Sequence, residues 1–466
     1  MTTIISDTEE TADEGTSGQY AFETSDEGTA LEHPTDRSTR EATICVVGLG
    51  YVGLPLAVGF AQSDYRVIGY DVDDVTVGRL QEGVDTTGDL PDEAIQDGDI
   101  SYTTDATSIA EADYVIIAVP TPIDDDERPD LGYVESAAAT VGSKMEPGTT
   151  VVLESTVYPG TTREVLAPAL EDASGLTAGT DFFVGYSPER ATPGDDEHGL
   201  ADVVKVVSAQ NEKVLEDLAT LYESVVDAGV HPAPSIEVAE ACKVVENAQR
   251  DLNIAFVNEL SMALDNMDID GRAVLEAAGT KWNFHEYRPG LVGGHCIPVD
   301  PYFFAYRSAR EGFDPELMQT SRQVNESVPD HVAELTIKAL NQSHKTLRES
   351  RVLVLGLAYK AGVGDIRSSK IDAVIDALQE YDIDIAGYDP FADGDAARES
   401  FGIEVQERLA FEGFDAVVFA TPHAEFEQLD LESVARKLTD DPALIDVTGT
   451  VGEDAAVDAG FVYRGL

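Results

Sequence analysis

Two short stretches of this chain place residue types at spacings that chemistry would use. The first is Gly48-x-Gly50-x-x-Gly53, with Tyr51 and Val52 inside it and Asp71 at the end of the next apolar run. The first glycine allows a tight turn, the second lets backbone close on a pyrophosphate, and the third lets a helix pack tightly on a strand. The helix that follows would turn free N–H groups and the positive end of its dipole toward phosphate. An acid at Asp71 would hydrogen-bond the ribose hydroxyls of NAD and repel the 2′-phosphate of NADP. The competing reading is a helix–strand turn that binds nothing.

The second stretch runs from Arg288 to Pro301, Arg-Pro-Gly-Leu-Val-Gly-Gly-His-Cys-Ile-Pro-Val-Asp-Pro. Its glycines and prolines exclude an ordinary helix or central strand. Cys296, just after Gly293-Gly294-His295, can sit in a tight turn open to a ligand, and Asp300 follows closely enough to face the same cavity. A thiolate nucleophile in a dehydrogenase would carry an aldehyde to an acid through a thiohemiacetal and a thioester. The competing reading is a structural loop with an incidental cysteine. Cys45 lies in an apolar run and Cys242 in a helical pattern, so both are expected to be inert. The three cysteines show neither metal-ligand nor disulfide spacing, which suits a reducing compartment.

The elements that must position these groups follow from periodicity. Thr43 to Val47 is a β-branched strand leading into the first glycine; Leu54 to Gln62 is helical; Arg66 to Tyr70 is a second strand. Buried-strand runs recur at Tyr114–Val119, Thr150–Leu153, Phe182–Gly185 and Val203–Ser208. From Ser235 to about Met267 the spacing is helical with neither Gly nor Pro, predicting one long helix. The strand–helix alternation restarts at Arg351–Leu355, Ile383–Tyr388, Ala416–Phe419 and Leu444–Val447. The expected architecture is α/β: two Rossmann-like doubly wound domains joined by a long central helix in a helical middle.

Charge narrows the partners. The 466 residues include 89 acidic and 30 basic side chains, a formal net charge of −59. Such a surface repels nucleic acid and anionic membranes. The acids are spread along the chain, which predicts a fold adapted to high salt. No apolar run reaches membrane-spanning length and no signal segment opens the chain, so a cytoplasmic protein is expected. Residues 1–40, polar and acidic, are expected to be a disordered tail.

Seven segments extend these readings. They are Gly48–Pro55, Val119-Pro-Thr-Pro122, Glu154-Ser-Thr-Val-Tyr-Pro-Gly160, Ser187-Pro-Glu-Arg190, Lys243-Val-Val-Glu-Asn247, Gly293–Asp300 and Asp365-Ile-Arg-Ser368. In this order they resemble the UDP-glucose/GDP-mannose dehydrogenase family over nearly the whole chain. The resemblance implies an NAD-binding domain over 41–230, a helical dimerisation and active-site domain over 231–345, and a UDP-sugar-binding domain over 346–466. It implies four-electron oxidation of C6 of a UDP-sugar by NAD, in a homodimer or larger homo-oligomer without metal. Cys296 would be the nucleophile. Lys243 and Asn247, one turn apart on the long helix, would stabilise oxyanions; the plainer reading of Lys243 is an exposed lysine on a polar face. Asp300 with Thr156 would hold a water, assisted by Glu189. Thr121 and Ser155 would line the cofactor site. Arg190, Arg288, Gly293, Lys360 and Arg367 would serve the substrate, with Arg367 reaching either cofactor or nucleotide.

Within the family, Ser187–Gly194 departs from the Pro-Glu-Phe-Leu-x-Glu-Gly pattern of UDP-glucose dehydrogenases, with Pro193 where a second glutamate would stand. It is similar to members acting on N-acetylated UDP-hexosamines, and Glu154–Thr162, Val238–Leu260 and Ala277–Phe284 resemble the Vi-capsule type, which acts on UDP-N-acetylglucosamine. UDP-N-acetylgalactosamine, UDP-N-acetylmannosamine and UDP-glucose remain alternatives. Readings from other classes are a non-catalytic NAD-binding protein and a two-electron dehydrogenase with no use for Cys296.

Overall fold

The computed structural model describes residues 42–466 apart from 89, 97–98, 125, 192–197 and 268. The tail expected over 1–40 and the Thr192-Pro193-Gly194 part of the substrate reading lie outside the described residues.

β-branched runs that are apolar at every position become strands buried on both faces, as a covered parallel sheet requires. The first sheet contains β1 (Thr43–Val47), β2 (Arg66–Tyr70), β3 (Ile100–Thr103), β4 (Tyr114–Ile117), β5 (Thr150–Leu153), β6 (Phe183–Tyr186), β7 (Lys205–Ala209) and β8 (Val230–Pro232). Their order is β3-β2-β1-β4-β5-β6-β7-β8. All five residues of β1 are buried. The chain runs outward in both directions from the β1–β4 pair, leaving a crevice at the carboxyl ends of those strands, the usual ligand position in such sheets.

One pairing departs from the expected parallel sheet. β6 and β7 are antiparallel, with Gly185 opposite Ala209 and Tyr186 opposite Ser208. A parallel return needs a crossover element, and the described residues between these strands form no helix. β8 is a short edge strand whose last residue, Pro232, pairs with Val207.

The second sheet contains β9 (Arg351–Leu355), β10 (Asp384–Tyr388), β11 (Glu404–Val405), β12 (Ala416–Phe419), β13 (Ala443–Asp446) and β14 (Val462–Gly465), ordered β11-β10-β9-β12-β13-β14. All its pairings are parallel.

Between the sheets, one helix runs from Ile236 to Asn266, its first turn capped by the Ser235 hydroxyl accepting from the Val238 N–H at 3.3 Å. It packs on a second long helix, Glu316–Gln342. Their contact is polar at its centre: the buried Arg322 and Asp251 pair at 2.5 Å, and Asn325 donates to Asp251 at 2.8 Å. Removing one partner of such a pair typically costs about 3–5 kcal/mol, because the other charge is stranded. Asn258, from the same long helix, donates to the Gly290 carbonyl and accepts from its N–H at 2.8 Å. The helix thereby anchors the segment that carries Cys296.

Candidate active site

The glycine turn has the shape its sequence requires. Gly48 has φ +94° and donates to the Tyr70 carbonyl at 2.9 Å. A Cβ on Gly53 would stand 1.8 Å from the Gly48 carbonyl oxygen, whereas a Cβ on Gly50 would meet nothing within 4 Å. Only glycine fits the first contact, and the second position leaves open space for a ligand to approach backbone. No side chain caps the helix Gly53–Gln62 that begins here. Asp71 accepts from the Leu49 N–H at 2.8 Å through one oxygen and from the Asp73 N–H at 3.0 Å through the other. A carboxylate oxygen has a second acceptor site, so both still have room for a ribose hydroxyl. A dinucleotide fits this cradle. Tyr51 is exposed beside it.

Thr121 and Ser155 knit the ends of β4 and β5. The Thr121 hydroxyl donates to the Thr156 carbonyl at 2.7 Å and the Ser155 hydroxyl to the Val119 carbonyl at 2.6 Å. These bonds bring Thr156 to the crevice.

Cys296 is exposed on a loop that winds directly into the helix Asp300–Arg310. Its carbonyl accepts from the Val299 N–H at 3.1 Å and the Asp300 N–H at 2.8 Å. Gly293 backs onto the second α/β half, where a Cβ would stand 2.7 Å from the Ser368 carbonyl oxygen. Asp300 is buried and accepts from the Asn247 amide at 2.5 Å. Burial pushes its carboxyl up to about 6, against the pull of Lys243 and the Asn247 bond. The Cys296 side chain reaches the surface, yet the protein packed around it still withholds enough solvent to raise its thiol. The Asp300 charge raises it further and Lys243 opposes both. Burial and Asp300 thus favour the thiol over the thiolate, so attack by Cys296 needs a group to take its proton.

The charge of Lys243 opposes the rise at Cys296 and at Asp300 and adds to the fall at Glu189. Glu189 accepts from the N–H groups of Arg190 and Ala191 at 2.7 and 2.5 Å. It is held below its usual range despite burial, chiefly by Lys205, by those N–H groups and by Lys243.

The proposed substrate residues are placed unevenly. Arg190 is turned to Glu246 on the long helix, at 3.2 and 2.7 Å, and to the Val204 carbonyl. Arg367 pairs through two nitrogens with Asp365 at 2.9 and 2.7 Å, and its guanidinium lies 5.8 Å from the Tyr51 ring centroid. It therefore meets the glycine turn of the opposite half. Asp365 also stands 4.0 Å from His295, the neighbour of Cys296. Gly293 lines a pocket with Leu291, Tyr359, Lys370 and Thr421, at the carboxyl ends of the second sheet. Arg288 is exposed and Lys360 half-buried.

Sequence reading missed several polar residues here. Glu240, on the long helix one turn before Lys243, accepts from the N–H groups of Gly160 and Thr162 and from the Thr162 hydroxyl at 2.5 to 2.8 Å. Lys205 bridges Glu154 and Glu189. A lysine among Val203, Val204, Val206 and Val207 was the available signal.

Three family models match the chain in succession: the NAD binding domain of the UDP-glucose/GDP-mannose dehydrogenase family over residues 42–226, its central domain over 237–327 and its UDP binding domain over 353–453. The chain belongs to this family. The dehydrogenase is 43% identical to protein CapL of Staphylococcus aureus over 88% of its own length and 96% of that protein's. It is 38% identical to a UDP-N-acetyl-D-glucosamine 6-dehydrogenase of Pseudomonas aeruginosa over 89% and 98% of the two chains. Its structure resembles that of a UDP-D-ManNAc dehydrogenase from Pyrococcus horikoshii, with a TM-score of 0.82 and 32% identity over 91% and 98% of the chains. It is an NAD-dependent nucleotide-sugar dehydrogenase, and NAD supplies it with a hydride acceptor.

Proposed function

We propose that this dehydrogenase oxidises C6 of a UDP-N-acetylhexosamine, UDP-N-acetyl-D-glucosamine first, to the uronate through a thioester on Cys296. The observation that carries this reading is Cys296 on an open loop beside Lys243 and the Asn247–Asp300 pair. Asp300, ionised at neutral pH, takes the C6 hydroxyl proton through a water that Thr156 helps to hold as the first hydride leaves. Asp300 passes that proton to solvent through the water and then takes the Cys296 thiol proton as the sulfur adds to the aldehyde. Lys243 and the second N–H of Asn247 donate to the oxyanion. Loss of a second hydride leaves the thioester, and water splits it into carboxylate and thiol. A two-electron dehydrogenase would need no such cysteine, and a mere NAD-binding protein would need neither Lys243 nor Asp300.

The preference for an N-acetylated sugar is supported by the Pseudomonas aeruginosa relative and by the Glu189-Arg190-Ala191 segment. The Arg190–Glu246 pair is the polar group on offer to an acetamido carbonyl. On the same reading, residues 41–230 hold NAD, 346–466 hold the UDP-sugar and 231–345 carry the oligomer contact, where Val245 and Phe256 of the long helix are exposed. The free cysteines suit the cytoplasm, and the acidic composition suits a halophile. A uronate of this kind would feed polysaccharide synthesis.

Competition among UDP-N-acetylglucosamine, its galacto and manno epimers and UDP-glucose in molar KCl tests the reading. Two NADH per sugar and a kcat/KM about ten- to a hundredfold above UDP-glucose are expected, since polar groups built for an acetamido group lack partners when glucose binds. Equal efficiency on UDP-glucose, or one NADH per sugar, overturns it.

A further inference from the structure

Behind the cluster around Cys296 lies a buried group of charges that the oxidation steps do not use. Lys205, 2% exposed, begins β7 in a run of valines. Its ammonium stands 2.8 Å from Glu154, 3.4 Å from Glu189 and 5.5 Å from the Tyr222 ring centroid. Glu154 follows β5 directly, two residues before Thr156, and its other oxygen accepts the Tyr222 hydroxyl. The charge of Lys243 also acts on Glu189, and Arg190, next to Glu189, is paired with Glu246 on the helix that carries Lys243. A continuous line of side chains thus runs from Tyr222 through Glu154 and Lys205 to Glu189, and the charge of Lys243 acts on both Glu189 and Cys296.

Stability alone gives a poor reason for this arrangement. Burying an ammonium and two carboxylates costs more in desolvation than their attraction commonly returns, and apolar residues fill such positions at least as well. The last member of the line, moreover, feels the same lysine as Cys296.

We propose that Lys205 is a positioning residue for thioester hydrolysis: it fixes the Glu189 carboxylate beside Lys243, while Glu154 and Tyr222 fix Lys205. This rests on the thioester route above. Asp300 stands next to the thiol and serves the protons released during oxidation. The water that ends the cycle needs an acceptor of its own, and Glu189, held in place by Lys205 and by the N–H groups of Arg190 and Ala191, is the carboxylate we assign to it. In this step a C–O bond forms to water and the C–S bond breaks. One water proton goes to Glu189 and on to solvent, the other passes to the departing sulfur, which leaves as the Cys296 thiol beside a carboxylate, and no electrons are exchanged. Lys205 is the leading influence holding Glu189 ionised against its burial.

The test follows NADH formation after rapid mixing of Lys205→Met with NAD and UDP-N-acetylglucosamine, or whichever UDP-sugar the competition selects, together with the intact mass of the quenched protein. The expected result is a burst of two NADH per site and then a steady rate about ten- to a hundredfold below the parent. The sugar acyl group should remain on Cys296, and KM should fall in step with the steady rate, so that kcat/KM stays within about threefold of the parent. Lys205→Arg should restore most of the steady rate. A parent-like rate, or a slow rate without burst or acyl-enzyme, overturns the proposal. Glu189→Gln run alongside separates the two layers. If it too lacks the burst, the hydrolytic role of Glu189 falls; if it shows one while Lys205→Met does not, only the role of Lys205 falls. Should Lys205→Met not fold, Lys205→Met with Glu154→Met also removes the fully buried carboxylate that the single change strands and is expected to show the same burst. Failure of both to fold would mark the group as structural and overturn the proposal.

Discussion

The two α/β halves place the same device at the same point and put it to different ends. In the first, Gly48 at φ +94° donates to Tyr70, and the next N–H, that of Leu49, goes to Asp71 at the end of β2. In the second, Gly356 at φ +88° donates to Tyr388, and the Leu357 N–H goes to Asp389 at the end of β10. There the likeness stops. Asp71 takes two backbone N–H groups at the rim. Asp389, 8% exposed, takes those of Leu357, Ala358, Phe391 and Ala392 at 2.8 to 3.0 Å and the ring of His423 at 3.1 Å. His423 accepts from the Gly362 N–H at its other nitrogen, so the ring donates to Asp389. These donors hold Asp389 far below the usual carboxylate range. An acid at the end of the second strand is thus no reliable sign of a ribose; what matters is which of its acceptor sites the protein has already filled.

The largest effect should come from the segment that neither half owns. Cys296→Ser is expected to lower turnover by about a thousandfold or more, because a serine hydroxyl is a far weaker nucleophile near neutral pH. NAD affinity, set by the first half, should be unchanged by titration calorimetry. Turnover within tenfold of the parent would remove the thioester from the mechanism.

The comparison itself is tested next. Asp389→Asn points an NH2 group at donors and should cost about 2–3 kcal/mol of stability, read as a lower Tm with NAD affinity intact. Asp71→Asn should barely move Tm. Its effect should be roughly a tenfold loss in preference for NAD over NADP, from relieved like-charge repulsion. If the two variants exchange phenotypes, the assignment of the halves is wrong.

A smaller effect concerns the acid between them. The Asp300 carboxyl, raised to about 6 by burial, serves as a base only when ionised, so kcat/KM should fall below about pH 6 and level off above it. Asp300→Asn should leave a slow enzyme without that limb. Retention of the limb would assign it elsewhere.

What the sequence made legible was whatever a local run of residues dictates. Thr43–Val47, Thr150–Leu153 and Arg351–Leu355 are strands with the bounds their apolar runs predict. The long helix matches too, with Ser235 and Met267 as its caps. The strands that escaped notice are short or only partly buried: Ile100–Thr103, Val230–Pro232, Glu404–Val405 and Val462–Gly465. Their residues carry no apolar run because no second layer covers them fully. Cys296 and the glycine turn were legible because their loops need unusual residues. Glu154, Lys205, Glu240 and Glu246 were not, since each has its meaning only through a partner far away in the chain, and nothing local marks which carboxylate a strand lysine will meet.

The short β8 strand bears on how the chain behaves in company. An open sheet edge offers a ladder of N–H and C=O groups to any extended segment, and that is a common start for aggregation. Here the edge is three residues long and closes with Pro232, which has no N–H to offer. A passing strand would find too few rungs to hold. In concentrated salt, where charge no longer keeps molecules apart, that blunt edge protects solubility when electrostatic repulsion cannot.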